Sequence, residues 1–198
     1  MQKACDACGV APIVPLERHL IGPPLDEMLR VATNLSDPEK LSQLRTSFVH
    51  HYDSSECTLA EAFPGIENML TEVASLGHVI TLATNKRAVP TQKILKSKNW
   101  QRYFQKVETI DSGSGGKQSK TQMIRNIVAE FPEVLSALFI GDTEWDFRAA
   151  QEASIPCVIV DWGYQKLNFG AEIKTIANPD EVLSLLNLVP HSNQTDRR

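Results

Sequence analysis

Asp142 and Asp146 stand four residues apart in Gly141-Asp142-Thr143-Glu144-Trp145-Asp146, directly after the apolar run Ala137–Ile140. At that spacing on a strand-to-helix turn, both carboxylates can face one point. Two hard oxygen ligands, with waters and a phosphate oxygen, suit Mg²⁺, which seldom takes an all-protein cage. Gly141 lets the backbone approach closely. A second apolar run, His78–Ala83, ends in Thr84-Asn85-Lys86, a hydroxyl, an amide and an ammonium in sequence. The Thr84 hydroxyl and the N–H groups of a following helix start can hold phosphate oxygens. Lys117 and Lys120 flank the entry to the helix after the loop DSGSGGKQS. A lysine there supplies a point charge for a phosphate and for developing negative charge. Each feature alone has a plain structural explanation: a helix cap, an acid favoured by the helix dipole, a solvated lysine. Their order, each at the carboxyl end of a strand where open parallel sheets bind ligands, points to phosphate chemistry.

Those side chains need a sheet to bring them together, and the chain from Phe63 onward reads as one. Short apolar runs at 78–83, 106–110, 137–140 and 156–160 alternate with helical patterns at about 65–76, 88–98, 119–130, 144–153 and 179–188. Uninterrupted apolar strands alternating with helices mean a parallel sheet covered on both faces, a doubly wound α/β fold. The front differs. Helices are expected over 25–33 and 37–55, the second started by Asp37-Pro38 and carrying Leu41, Leu44, Phe48 and Tyr52 at helical spacing, with no strand between them. The expected organisation is an irregular N-terminus over 1–11, a small helical module over 12–61, an α/β core over 62–190 and a polar tail over 191–198.

With 198 residues, 42% of them hydrophobic, the chain can build a core, which excludes global disorder. A formal charge of -4 argues against a general nucleic-acid binder. No apolar run approaches the roughly 18 residues of a membrane span, and the first 20 residues lack the plan of a signal peptide. A soluble cytoplasmic protein is expected. Of the four cysteines, Cys5 and Cys8 form a C-x-x-C, while Cys57 and Cys157 sit apart. Zinc would need two further ligands, with His50, His51 and Cys57 the nearby candidates, and a redox pair would want a strand-to-helix turn. Unpaired reduced thiols are the expectation. Dinucleotide binding has no G-x-G-x-x-G after the first strand to support it, and Gly113-Ser114-Gly115-Gly116 lacks the Walker spacing.

The runs FPGIENMLTEVASLGHVITLATNK, SKTQMIRNIV, ALFIGDTEWDFRAAQEASIPCVIVDWGYQ and ANPDEVLSLL resemble haloacid dehalogenase (HAD) superfamily hydrolases, phosphoglycolate-phosphatase-like members above all. The resemblance covers about residues 20–188 and is most specific over 63–164. It implies a HAD-like Rossmannoid fold and a Mg²⁺-dependent phosphatase acting on a small phosphorylated metabolite. It implies that Thr84 binds phosphate beside Asn85 and that Asp142 and Asp146 hold Mg²⁺. Lys120 matches the family's catalytic lysine because it opens a helix in a K-x-x-x-I pattern. Lys117 is the alternative, its spacing to Asp142 being closer to that of relatives with K-P-x-P. Residues 12–61, with Ile21-Gly22-Pro23-Pro24-Leu25, are similar to the latter part of the family's helical cap, and Ser154 stands where relatives usually carry glycine.

One departure is large. The family's nucleophile is the first aspartate of a D-x-D-G-T motif ending the first strand, and this sequence contains no D-x-D. Before Thr84 the aspartates are Asp6, Asp26, Asp37 and Asp53, and none follows an apolar strand. In the family that strand lies between the strands ending at Thr84 and Asp142. Its loss would leave two inner strands with facing unpaired edges, or force them to close up. It would also remove the carboxylate that an aspartyl-phosphate intermediate requires, which metal and lysine do not replace. Two readings follow. One is a shortened, catalytically impaired phosphatase, with an in-frame D-x-D-G-T strand encoded upstream. The other is a non-catalytic pseudo-phosphatase that binds phosphate or a protein partner.

Overall fold

The apolar runs form parallel strands, and these fall into two sheets. The computed structural model describes residues 1–17, 20–54, 56–134, 136–163 and 173–186. Strand β1 (Ile80–Thr84) pairs with β2 (Phe104–Thr109), placing Thr84 opposite Thr109. Strand β3 (Phe139–Gly141) pairs with β4 (Cys157–Val160), which pairs in turn with the two-residue β5 (Thr175–Ile176). Parallel neighbours need long crossovers, and helices supply them. Three helices lead in turn from the module to β1, from β1 to β2 and from β2 to β3. They are α4 (Ile66–Ser75), α5 (Ala88–Ser97) and α6 (Lys120–Glu130), while α7 (Glu144–Glu152) links β3 to β4 and α8 (Glu181–Leu186) follows β5.

Two apolar layers hold the sheets side by side. On one, Val73 of α4 and Val182 of α8 pack with Val158, Val160 and Ile176, and Ile80 of β1 joins them. On the other, Ile124 of α6 and Ala149 and Ala150 of α7 pack with Ala83 of β1 and Phe139 of β3. Each layer thus contains residues from both sheets, and the architecture is doubly wound. Among the described residues, however, no strand joins β1 to β3. The effect shows in burial. Val158, Ile159 and Val160 of the doubly paired β4 are buried, whereas β1 is only half-buried along its whole length and Ile140 of β3 is 37% exposed. Helices cover the faces of these strands, but among the described residues their inner edges have no strand neighbour.

The helical module has its own core. Helices α2 (Leu25–Thr33) and α3 (Pro38–Ser54) bury Leu29, Leu41 and Leu44 against Ala4 and Cys5. Asp37 Oδ1 accepts the N–H groups of Glu39 (2.9 Å) and Lys40 (3.3 Å), so α3 starts where the Asp-Pro pair predicts. Residues 1–11 differ from the irregular segment expected, because they contain α1 (Gln2–Cys8), ended by Gly9 at φ 63. A seven-residue helix has too little intrinsic stability to stand alone, and burial of Ala4 and Cys5 under Leu29 and Leu44 is what holds it. β5 was also absent from the expected elements, being two residues long. The polar tail 191–198, and the end of the helix expected over 179–188, lie outside the described residues. All four cysteines are free, with Cys5 and Cys57 buried. Among the described residues no helix is long and apolar enough to cross a membrane, and no group of three or more His, Cys, Asp or Glu side chains could hold a metal ion.

Native-state amide exchange should be slowest in β4 and faster in β1 and β3. Equal protection across the three strands would mean that the gap between the sheets is closed in solution.

Candidate functional site

Thr84 ends β1, and its Oγ1 accepts the Lys86 N–H at 3.2 Å, which folds the turn back on itself. Helix α5 then starts at Ala88 without a side-chain cap from Arg87. Asp111, beyond β2, takes that place, its Oδ1 accepting the Ala88 N–H at 2.8 Å. The three residues between reach the helical module. Asn85 Nδ2 donates to the Gly22 carbonyl at 3.0 Å. Lys86 Nζ donates to the Tyr52 hydroxyl at 2.7 Å and lies 4.9 Å from the centre of that ring. Arg87 binds Asp53 through two bonds of 2.8 and 2.5 Å, with both side chains 19% exposed. The Asn85 side chain, expected at a phosphate beside Thr84, is therefore turned to the module.

At the end of β3 the chain enters α7 through a capping box. The Asp146 N–H donates to Thr143 Oγ1 at 3.2 Å, and Asp146 Oδ2 accepts the Thr143 N–H (3.0 Å) and hydroxyl (2.7 Å). The Asp142 N–H adds a third donor at 3.1 Å, and Lys120 Nζ pairs with Oδ1. Burial alone would raise the Asp146 pKa; the Lys120 charge and these donors outweigh it and hold the carboxyl below its ordinary range. Burial of Cys157 itself, with the Asp146 charge nearby, pushes its thiol up to about 12. Lys120 reaches this position because Ser119 caps α6, accepting the Gln122 N–H at 3.1 Å, and sets the lysine at the first helical residue.

The two carboxylates have different neighbours. Asp146 is the third residue of α7, where the capping box claims it. Asp142 lies against Gly163: a β-carbon on that glycine would sit 2.7 Å from Asp142 Oδ2, and one on Gly141 would sit 2.6 Å from Asp146 Cγ. Asp142 lines a cavity of about 280 Å³ with Phe63, Ile66, Ile140 and Trp162, on the exposed side of β3. The two candidate lysines separate as clearly. Lys120 meets Asp146, whereas Lys117 Nζ pairs with Asp26 of α2 at 2.6 Å, beside Arg45. Sequence reasoning missed Thr143, Asp111, Gly163 and the Arg87–Asp53 pair. Only the first left a signal, the Thr-x-x-Asp spacing of a capping box.

This geometry sits on a recognised sequence pattern. Residues 2–160 match the family described as haloacid dehalogenase-like hydrolase. The chain belongs to that family. A phosphoglycolate phosphatase of Aquifex aeolicus is 29% identical over 142 residues, which cover 71% of this chain and 66% of the relative. The tyrosine-protein kinase PtkA of Mycobacterium tuberculosis is 27% identical over 157 residues, 78% of this chain and 52% of the relative. The chain thus spans about half to two thirds of the length of these curated relatives. A haloacid dehalogenase-like hydrolase from Streptococcus pneumoniae shares the fold, with a TM-score of 0.78 at 21% identity, over 93% of this chain and 87% of that one.

Two outcomes follow from the β3 turn. Gly163→Ala or Gly141→Ala should cost about 1–3 kcal/mol in urea denaturation, because the added methyl displaces an aspartate. The Asp146 contribution to stability is full above the unfolded carboxyl pKa of about 3.9 and is lost as pH falls through the lower folded value. The stability gap between wild type and Asp146→Asn should therefore narrow on acidification below that pH. A gap that does not change with pH would show that folding does not lower the Asp146 carboxyl.

Proposed function

We propose that this chain carries the phosphate and metal site of a phosphoglycolate-phosphatase-like HAD enzyme for a small phosphorylated metabolite, and that as a 198-residue chain it is catalytically impaired. The observation that supports the site most directly is the convergence of Lys120 on Asp146, two residues 26 apart in sequence that meet at the carboxyl end of β3. The Thr84 hydroxyl and the Lys120 ammonium would bind and orient the phosphate. Asn85 would act one step back, tying the Thr84 turn to the module. Helices α1 to α3 would serve as a partial cap.

Mg²⁺ fits the donors present. It binds through one or two carboxylates and otherwise keeps waters and phosphate oxygens. Asp142, on the cavity wall, would hold it, and Asp146, already bonded to Thr143, the Asp142 N–H and Lys120, would fix the lysine. When bound, the metal would neutralise phosphate charge. The impairment rests on two facts: the sequence has no D-x-D, and no strand lies between β1 and β3 among the described residues. A reaction through an aspartyl-phosphate needs a carboxylate in line with phosphorus, and charge stabilisation alone does not provide one. This favours binding without turnover, the behaviour of a pseudo-phosphatase or of a shortened enzyme. A cytoplasmic setting and a small-molecule ligand, with neither nucleic acid nor membrane, belong to the same reading.

Calorimetric titration of Mg²⁺ with inorganic phosphate should show binding to the wild type and none to Asp142→Ala, with only a modest loss of thermal stability. Unchanged Mg²⁺ affinity in that variant would overturn the metal assignment. Hydrolysis of p-nitrophenyl phosphate should be absent; turnover that depends on Thr84 and Asp142 would refute the impairment. An upstream reading frame encoding D-x-D-G-T would favour the shortened enzyme over the pseudo-phosphatase.

A further inference from the structure

We infer that Glu108 is a positioning residue that fixes the two anion-binding turns, at Thr84 and at Lys120, relative to one another; the inference rests on the phosphate reading above. Glu108 lies near the carboxyl end of β2 and is 7% exposed. Its Oε2 accepts hydrogen bonds from Ser112 Oγ and Gln118 Nε2, each at 2.6 Å, and Lys106 Nζ stands 3.6 Å from Oε1. Burial opposes the charge, but these donors and the lysine outweigh it and hold the carboxyl below its ordinary range. Ser112 and Gln118 belong to the two ends of the loop between β2 and α6, so one carboxylate draws both ends together. Secondary bonds tighten the arrangement: Ser112 Oγ accepts the Thr109 N–H at 3.0 Å, and Gln118 N–H donates to the Ile110 carbonyl at 2.9 Å.

Polar contacts rather than an apolar anchor shape that loop, among them the Lys117–Asp26 pair and the bond from Asn126 Nδ2 to Gln118 Oε1 at 3.0 Å. None of residues 111–119 is buried, and three are glycines. Polar bonds to a buried charge replace the apolar anchor that the loop lacks. Each end of the loop serves one turn. On one side Asp111, steadied by the Thr109 hydroxyl at 2.8 Å, caps Ala88 at the start of α5, and the Ile110 N–H reaches the Lys86 carbonyl at 3.3 Å. These bonds fix the backbone that follows Thr84. On the other side Gln118 leads into Ser119, the cap of α6, and Lys120 comes next. Glu108 touches neither Thr84 nor Lys120; it acts through Ser112, Asp111 and Gln118.

The test compares wild type with Glu108→Ala and Glu108→Gln, at a temperature where circular dichroism shows all three folded. Affinity for inorganic phosphate with Mg²⁺, and amide exchange at Ala88, Ile110 and Gln122, whose N–H the Ser119 cap holds, are both measured. Glu108→Ala should weaken phosphate binding about tenfold or more and speed exchange at both turns together; Glu108→Gln, which keeps an acceptor, should recover most of each. Phosphate affinity unchanged in Glu108→Ala would overturn the inference. So would weakened affinity with exchange unchanged at either turn, which a general loss of packing would not confine in this way. If Glu108→Ala does not fold, the same two criteria apply to Glu108→Gln with smaller shifts. If the wild type binds no phosphate, the phosphate reading fails, and unchanged exchange at either turn still overturns the role of Glu108.

Discussion

The buried ion pair between Lys120 and Asp146 is the constraint around which the α/β half is arranged. A carboxylate as buried as Asp146 is tolerated only when its oxygens are bonded, and here each has a partner: Thr143 and the Asp142 N–H on one, Lys120 on the other. Meeting that requirement fixes several things at once. The capping box sets where α7 begins, the lysine sets how α6 docks beside it, and Gly141 must remain without a side chain. Burial of Cys157 itself, with the Asp146 charge adding to it, pushes that thiol up to about 12.

Against that well-satisfied corner stands a sheet divided in two. Backbone polar groups normally find partners, and β4 shows the usual result, with neighbours on both sides and a buried apolar row. Among the described residues β1 and β3 each have a neighbour on one side only, and their partial exposure reflects this. The helix layers nevertheless bind both sheets into one body, through Ile80 on one face and Ala83 with Phe139 on the other. Packing of faces and pairing of edges are thus separable, and this chain has the first without the full measure of the second.

What the sequence made legible follows the same division between local and distant causes. The apolar runs became strands because period and punctuation are local, and α3 began at Asp37-Pro38 for the same reason. α1 was illegible because the buried partners of Ala4 and Cys5, which are Leu29, Leu41 and Leu44, lie tens of residues away. In the site, the types and positions of Thr84, Lys120, Asp142 and Asp146 could be named in advance, but their orientations could not. Four-residue spacing allowed two carboxylates at one point, and it did not announce that Asp146 also closes a capping box with Thr143. Lys117 and Lys120 are three residues apart and chemically identical; the helix cap at Ser119 separates their destinations. Asp111 as a cap for α5 depends on a contact across 23 residues, which no local pattern announces.

The three residues after Thr84 have a thermodynamic consequence. Asn85, Lys86 and Arg87 each bond to the helical module, so moving the turn away from the module would break those bonds. If the module moves when the proposed ligand binds, linkage requires that each event favours the other by the same free energy. The run from Asn85 to Arg87 is therefore a mechanical linkage of equal leverage in both directions, set in a stretch of chain that reads at first as a plain strand end.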